Sequence, residues 1–302
     1  MKTFLILTKR NVKLFFKDKG MFFSSLITPV ILLVLYATFL AKVYRDSFSS
    51  SLPEALLNDP SMKNLIDGTV GGELISSLLA VSCVTVAFCS NLIMVQDKFS
   101  GARKDMFVTP VNKSVVSLAY YAGTLLNTLI VGFLATAAGF VYLAIVGWYL
   151  NFADVLLVLL DVILLSMFGT ALSSIVNTFL STQGQMSAVG TIVSAGYGFI
   201  CGAYMPIDSF SDGLKNVFAF LPGTYGTSLI RNHCLAGCFR EMSAKGFPDD
   251  TLNAIKKSID CRISFFGNNV SELAMYLVLI GSILLLIGVY ILINYLRKRK
   301  SY

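Results

Sequence analysis

Few side chains in this sequence have both the type and the setting for chemistry. Asp161 is the one acid well inside a long apolar run, and Asn127 and Asn177 are polar residues inside similar runs. An ionisable group in a hydrocarbon layer is costly unless paired or wetted, so it marks a candidate functional site. Two readings of Asp161 stand: an intramembrane functional group, or an acid near the outer end of its run, about seven residues past Asp154, hydrated or hydrogen-bonded to a neighbour. The single histidine, His233, falls in a polar stretch expected to lie outside the membrane. No serine and histidine face each other within an apolar run, and no HExxH pair is present, which argues against a membrane protease of the serine or zinc type. A Walker A loop is also missing, so nothing on this chain would cradle a nucleotide's phosphates. No catalytic residue, metal ligand or directly bound cofactor is expected.

The cysteines do not form a metal site by spacing. Cys83, Cys89 and Cys201 lie in apolar runs and read as small packed hydrophobes. Cys234, Cys238 and Cys261 lie in the polar stretch, either unpaired or with two of them joined by a disulfide outside the cell. Two N-x-Ser matches, at Asn112 and Asn269, are too short a pattern to carry weight.

These residues are carried by a chain of 302 residues, 55% apolar and only 14% charged. A soluble domain averages about 25% charged residues. Here the shortfall comes in blocks near the ~20 residues that a helix needs to cross a bilayer. The expected fold is all-α and polytopic, a single membrane domain with six transmembrane helices at residues 21–41, 72–95, 114–147, 152–179, 186–204 and 272–295. Pro29 is a tolerated kink in the first. Polar stretches at 42–71, 96–113 and 206–271 separate them. The first run is too long for a cleavable signal. Gly169, Ser173, Ser174 and Asn177 in the fourth run, with Gly190, Ser194, Gly196 and Gly198 in the fifth, predict close helix packing.

Residues 1–20 form a different element. At 100° per residue, Lys9, Arg10, Lys13 and Lys17 fall in an arc of about 100°, and most Phe, Leu and Val residues lie opposite. This predicts an amphipathic helix in the headgroup plane, with the basic face to anionic lipid. Lys and Arg are dense in residues 1–20, 96–113 and 296–302, whose only acids are Asp18, Asp97 and Asp105. That bias orients both termini to the cytoplasm, as six spans require. Trp148, Tyr149 and Tyr204 then fall at outer boundaries, where interfacial aromatics belong.

The loop at residues 96–111 reads Gln-Asp-Lys-Phe-Ser-Gly-Ala-Arg-Lys-Asp-Met-Phe-Val-Thr-Pro-Val. It resembles the cytoplasmic loop of the type-2 ABC exporter permeases, matching at Asp97, Lys98, Gly101, Arg103, Thr109 and Pro110. The family more often has glutamates and a Gly-Thr pair where Gln96 and Gly101-Ala102 stand here. A second similarity covers Gly202-Ala203-Tyr204-Met205-Pro206, then Phe220-Leu221-Pro222-Gly223-Thr224-Tyr225, then Arg231. It is similar to the family's outer helical hairpin, with Pro206, Pro222 and Tyr225 as its landmarks. Ser209–Asp212 stands where relatives commonly carry a further proline.

The resemblance implies a permease subunit of an ATP-driven exporter. Its coupling residues would be Asp97, Lys98, Gly101, Arg103, Lys104, Asp105, Met106 and Phe107, with Met106 and Phe107 as an apolar knob and the charges setting register. The implied partners are two copies of an ABC ATPase, which would bind ATP and Mg, a second identical or related permease, and the lipid of a bacterial plasma membrane, with no nucleic acid. A secondary transporter or channel using Asp161, Asn127 and Asn177 for ions is the alternative, and a non-transporting anchor or sensor subunit is another. Nothing in the sequence names a substrate.

Overall fold

The computed structural model describes residues 1–50 and 60–299. Its helices are α1 (Lys2–Lys17), α2 (Lys19–Leu35), α3 (Ala41–Ser50), α4 (Pro60–Phe99), α5 (Ala102–Val108), α6 (Lys113–Val146), α7 (Phe152–Phe179), α8 (Gln183–Ile200), α9 (Asp212–Ala219), α10 (Pro222–Ala244), α11 (Asp249–Ser258) and α12 (Glu272–Arg299). A two-stranded antiparallel ribbon pairs Ser264–Phe265 with Asn268–Asn269. The described residues are all-α apart from that ribbon.

Among the described residues five helical stretches are long and apolar enough to cross a membrane: Lys19–Val43, Ser61–Phe99, Lys113–Val146, Phe152–Phe179 and Glu272–Leu296. The run expected at 186–204 is helix α8, whose 18 residues rise about 27 Å, a little short of a hydrocarbon core. A capping box of Thr182 and Gln185 starts α8, and its polar first turn lowers its apolarity. Its far end stops where Gly202 takes a left-handed φ of +74° and the amides of Ala203 and Tyr204 turn back to the Gly198 carbonyl. Tyr204 is therefore buried against Gly198.

Helix α4 is the axis of the bundle, packed against α2, α6, α7, α8 and α10. Between helices surrounded by lipid, association rests on close packing and polar contacts more than on water release. Gly169 of α7 meets that need, since a Cβ there would lie 2.9 Å from the Cys83 carbonyl oxygen on α4. Ser173 and Ser174 accept hydrogen bonds from Asn91 Nδ2 across the same seam. Gly190 and Gly196 of α8 face open space, so the packing expected there is not made within this chain.

Two polar stretches depart from the expected loops. Residues 60–71 continue α4, because Met62, Leu65, Ile66, Thr69 and Val70 repeat at helical spacing and are buried. Window hydropathy misses that stripe since Lys63, Asn64 and Asp67 lie between its members. Residues 51–59, within the expected outer stretch, fall outside the described residues. The second departure is α10, twenty-three residues long and buried along most of its length although its composition is mixed. Helix α10 runs antiparallel to α7. Gly223 packs on Phe168, Gly226 on Leu165, and Arg240 pairs with Asp154. All six cysteines are buried and free, which removes the expected disulfide alternative.

Candidate functional site

Helix α4 ends at Phe99, and Gly101 turns the chain with φ +87°, a left-handed conformation that side-chain-bearing residues rarely adopt. The short helix α5 follows, and Asn112 caps α6 through the Ser114 amide. Lys104 and Asp105 are exposed, as are Thr109 and Pro110. Arg103 is half-buried, its guanidinium 5.5 Å from the Phe107 ring centre, with the Lys113 ammonium 5.7 Å from the same ring.

The expected set of eight residues divides in two. Asp97 is buried (6% exposed) and faces inward. It accepts Arg10 Nη1 at 2.7 Å and Nη2 at 2.9 Å, and Tyr120 Oη donates to it at 2.6 Å. Lys98 Nζ donates to the carbonyls of Asn177, Thr178 and Leu180 at 3.0, 2.7 and 2.9 Å, closing the C-terminal end of α7 where orphan carbonyls gather. Asp97 thus ties α4 to α1 and α6, and Lys98 ties it to α7. Neither is presented outward as a docking charge.

Met106 and Phe107 also turn inward, against a cluster that includes Phe15, Val116 and Tyr120. The apolar side chains presented outward beside α5 are Phe99, 62% exposed, and Val108, 87% exposed. Val108 lies two residues past Met106, about 200° around α5, a distinction the loop's composition hides and its helical spacing could have revealed.

Helix α1 completes this end. Asn11 Nδ2 donates to the Ala119 carbonyl at 3.1 Å, and Gly123 lets α1 approach so closely that a Cβ there would lie 2.8 Å from Asn11 Cβ. One face of α1, with Thr8, Asn11 and Phe15, is therefore buried on the protein. Leu5, Ile6, Lys9, Lys13 and Lys17 remain exposed. The lysines keep the expected basic face exposed while Arg10 turns inward to Asp97, and on the expected lipid-facing side Phe15 is buried whereas Leu5, Leu14 and Phe16 stay exposed.

The polar candidates within the runs do not converge. Asn127 Nδ2 donates to Ser90 Oγ at 2.8 Å, and Asn177 Nδ2 reaches the Phe88 carbonyl at 3.5 Å. Asp161 is sixteen residues from Asn177 on α7, about 24 Å along the axis. Asp161 is fully buried, 2.6 Å from His233 Nδ1, and accepts from Tyr276 Oη at 2.7 Å. Its neighbours are thus side chains of α10 and α12.

At the same end, Pro206 leads into a short 3-10 turn and α9, and Pro222 opens α10 at its first turn, where a missing amide costs nothing. Tyr225 Oη donates to the Ala219 carbonyl at 2.6 Å and locks the α9–α10 corner. Arg231 of α10 is fully buried. Its Nε lies 2.9 Å from Glu73, its Nη1 3.5 Å from Asp260, and its Nη2 donates to Ser77 Oγ and the Gly202 carbonyl, both at 2.9 Å. Reading Arg231 and His233 as outer-loop residues missed this burial, because their partners lie far away in sequence.

Residues 2–234 match the ABC-2 type transporter family. No curated protein matches the chain.

Proposed function

The chain belongs to the ABC-2 type transporter family, and from that premise we propose that it is the permease subunit of an ATP-driven exporter whose ATPase is a separate polypeptide. It is a multi-pass membrane protein. The observation that carries the reading is the short exposed helix α5, turned off the end of α4 at Gly101, where Asp97 and Lys98 brace α4 against α1, α6 and α7. A partner pressing on Phe99, Lys104, Asp105 and Val108 would move α4, and α4 packs against α2, α6, α7, α8 and α10. Arg103 and Gly101 shape that surface, while Asp97, Lys98, Met106 and Phe107 transmit from it.

In this reading two ATPase copies bind ATP and Mg and dock at the α5 end, which faces the cytoplasm of a bacterial cell together with both chain ends. The basic density of residues 1–20 and 96–113 supports that orientation. Helix α8 supplies the sixth span, and its open face at Gly190 and Gly196 supports pairing with a second permease across a two-fold axis. Helices α9 and α10 form a hairpin that enters the outer leaflet. Its support is the packing of Gly223 on Phe168, sixteen residues along α7. Tagged protein drawn from its native membrane should bring down an ATPase active in the eluate. A permease recovered intact and without an ATPase from gently solubilised membranes would overturn the proposal.

A further inference from the structure

The only histidine in the sequence lies between two carboxylates on two different helices. His233 Nδ1 is 2.6 Å from Asp161 Oδ2 on α7, and Nε2 is 2.8 Å from Glu272 Oε1 at the start of α12. Asp161 is fully buried, whereas the Glu272 side chain is 56% exposed, so the chain of three groups runs from the bundle interior to solvent. Tyr276, one turn further along α12, gives its hydroxyl hydrogen to Asp161 Oδ1. A carboxylate can only accept, so the geometry is complete only when both ring nitrogens carry hydrogen. A neutral ring would turn a lone pair toward one of the carboxylates.

We propose that His233 is a proton-binding latch that joins the first turns of α12 to α7 and α10 while the imidazole is charged and frees them when it is neutral. The other ionisable groups around it leave that role to it. On α7, Asp154 is taken by Arg240 of α10. On α4, Glu73 is taken by Arg231, which also faces Asp260. Cys234, next to His233 on α10, is a buried thiol. Asp161, Glu272 and Tyr276 are thus the groups that address the imidazole. About two to three turns below the latch, α7, α10 and α12 join α8 around an apolar cavity of about 440 Å³ lined by Phe168, Leu172, Tyr197, Gly223, Ser282 and Leu286. Freeing the start of α12 loosens one wall of that cavity. The latch goes beyond the exporter reading and would stand without an ATPase.

Burial opposes the charge on His233, but the two carboxylates outweigh it and place its pKa above the ordinary imidazole value. A folded-state pKa above the unfolded one gives stabilisation that is full below about 6.5, the unfolded value. It is lost as pH rises through the folded value. The latch is therefore closed on the acid side and open on the alkaline side.

Because the chain has one histidine, labelling it with ¹⁵N in the full-length protein in lipid nanodiscs gives one imidazole to titrate. Both nitrogens should read as protonated at pH 6 and near neutrality, with a midpoint above that of free imidazole. Amide exchange at residues 272–280, corrected for its intrinsic pH dependence, should speed several-fold above that midpoint. Glu272→Gln, at the exposed partner, should lower the midpoint and leave the fold intact. His233→Gln should make the corrected exchange fast and independent of pH. A neutral tautomer at pH 6, an unshifted midpoint in Glu272→Gln, or corrected exchange that ignores the midpoint would each overturn the latch. Should His233→Gln fail to fold, the wild-type and Glu272→Gln titrations still decide.

Discussion

At the α5 end of the bundle, Asp97 and Lys98 meet partners close to the surface: an arginine whose side chain is about one-third exposed, and the free carbonyls that end α7. At the opposite end, Arg231 is sealed between Glu73 and Asp260 with no exposed surface of its own. The first arrangement braces a junction that water and salt can still reach, so each contact is modest and adjustable. The second removes full charges from solvent, where pairing barely offsets desolvation but losing one partner is severe. The α5 end is built as a joint, and the opposite end as a clamp.

The largest expected effect tests the clamp. Arg231→Met strands Glu73 in a buried site, leaves Asp260 with only the Ile207 and Asp208 amides, and should cost about 3–5 kcal/mol. The readout is loss of monodisperse protein after solubilisation, or a large fall in thermal midpoint. Adding Glu73→Gln to Arg231→Met should recover part of the loss, because the two substitutions act on one interaction. A mild Arg231→Met phenotype would show that the clamp is not closed.

Next comes the joint. Asp97→Asn removes the charge that accepts both Arg10 and Tyr120, and at a junction that water still reaches this should cost about 1 kcal/mol. The effect should be local, with faster amide exchange across Lys2–Lys17 and little change in α10. Gly123→Ala should loosen the same helix by steric means, since its Cβ would sit against Asn11. Smaller again is Lys98→Met, which uncaps the end of α7. A cation at a helix C-terminus is worth about 0.3–1 kcal/mol, so fraying should be confined to the last turn before Phe179.

How much of this was readable from residues alone follows the same division. The apolar runs announce their helices because hydropathy sums over a window and needs no partner. The α9–α10 corner was legible at Pro206, Pro222 and Tyr225, since proline acts on its own backbone. Helix α10 was not legible as buried. Arg231 and His233 lower its mean apolarity, and the groups that neutralise them, Glu73 and Asp161, lie on other helices far off in sequence. The inward turn of Asp97 and Lys98 was hidden for the same reason. A loop rich in charge looks uniformly exposed until Arg10 and the end of α7 are brought beside it.

The smallest expected effect on stability is also the sharpest test of the joint. Lys104 and Val108 sit on the outer face of α5, Val108 at 87% exposure, with none of the bracing bonds described for Asp97 and Lys98. Lys104→Glu with Val108→Asp should change folding stability by no more than about 0.5 kcal/mol, as surface substitutions usually do. The same pair should abolish co-purification of the ATPase, or its stimulation, because it reverses a charge and buries a new one wherever a partner covers α5. Asp97→Asn should instead leave the partner bound and weaken what binding does, since it cuts the link between α4 and α1 without touching the outer face. If the double variant binds and stimulates normally, the outer face of α5 is not the docking surface, and the bracing of α4 serves the bundle alone.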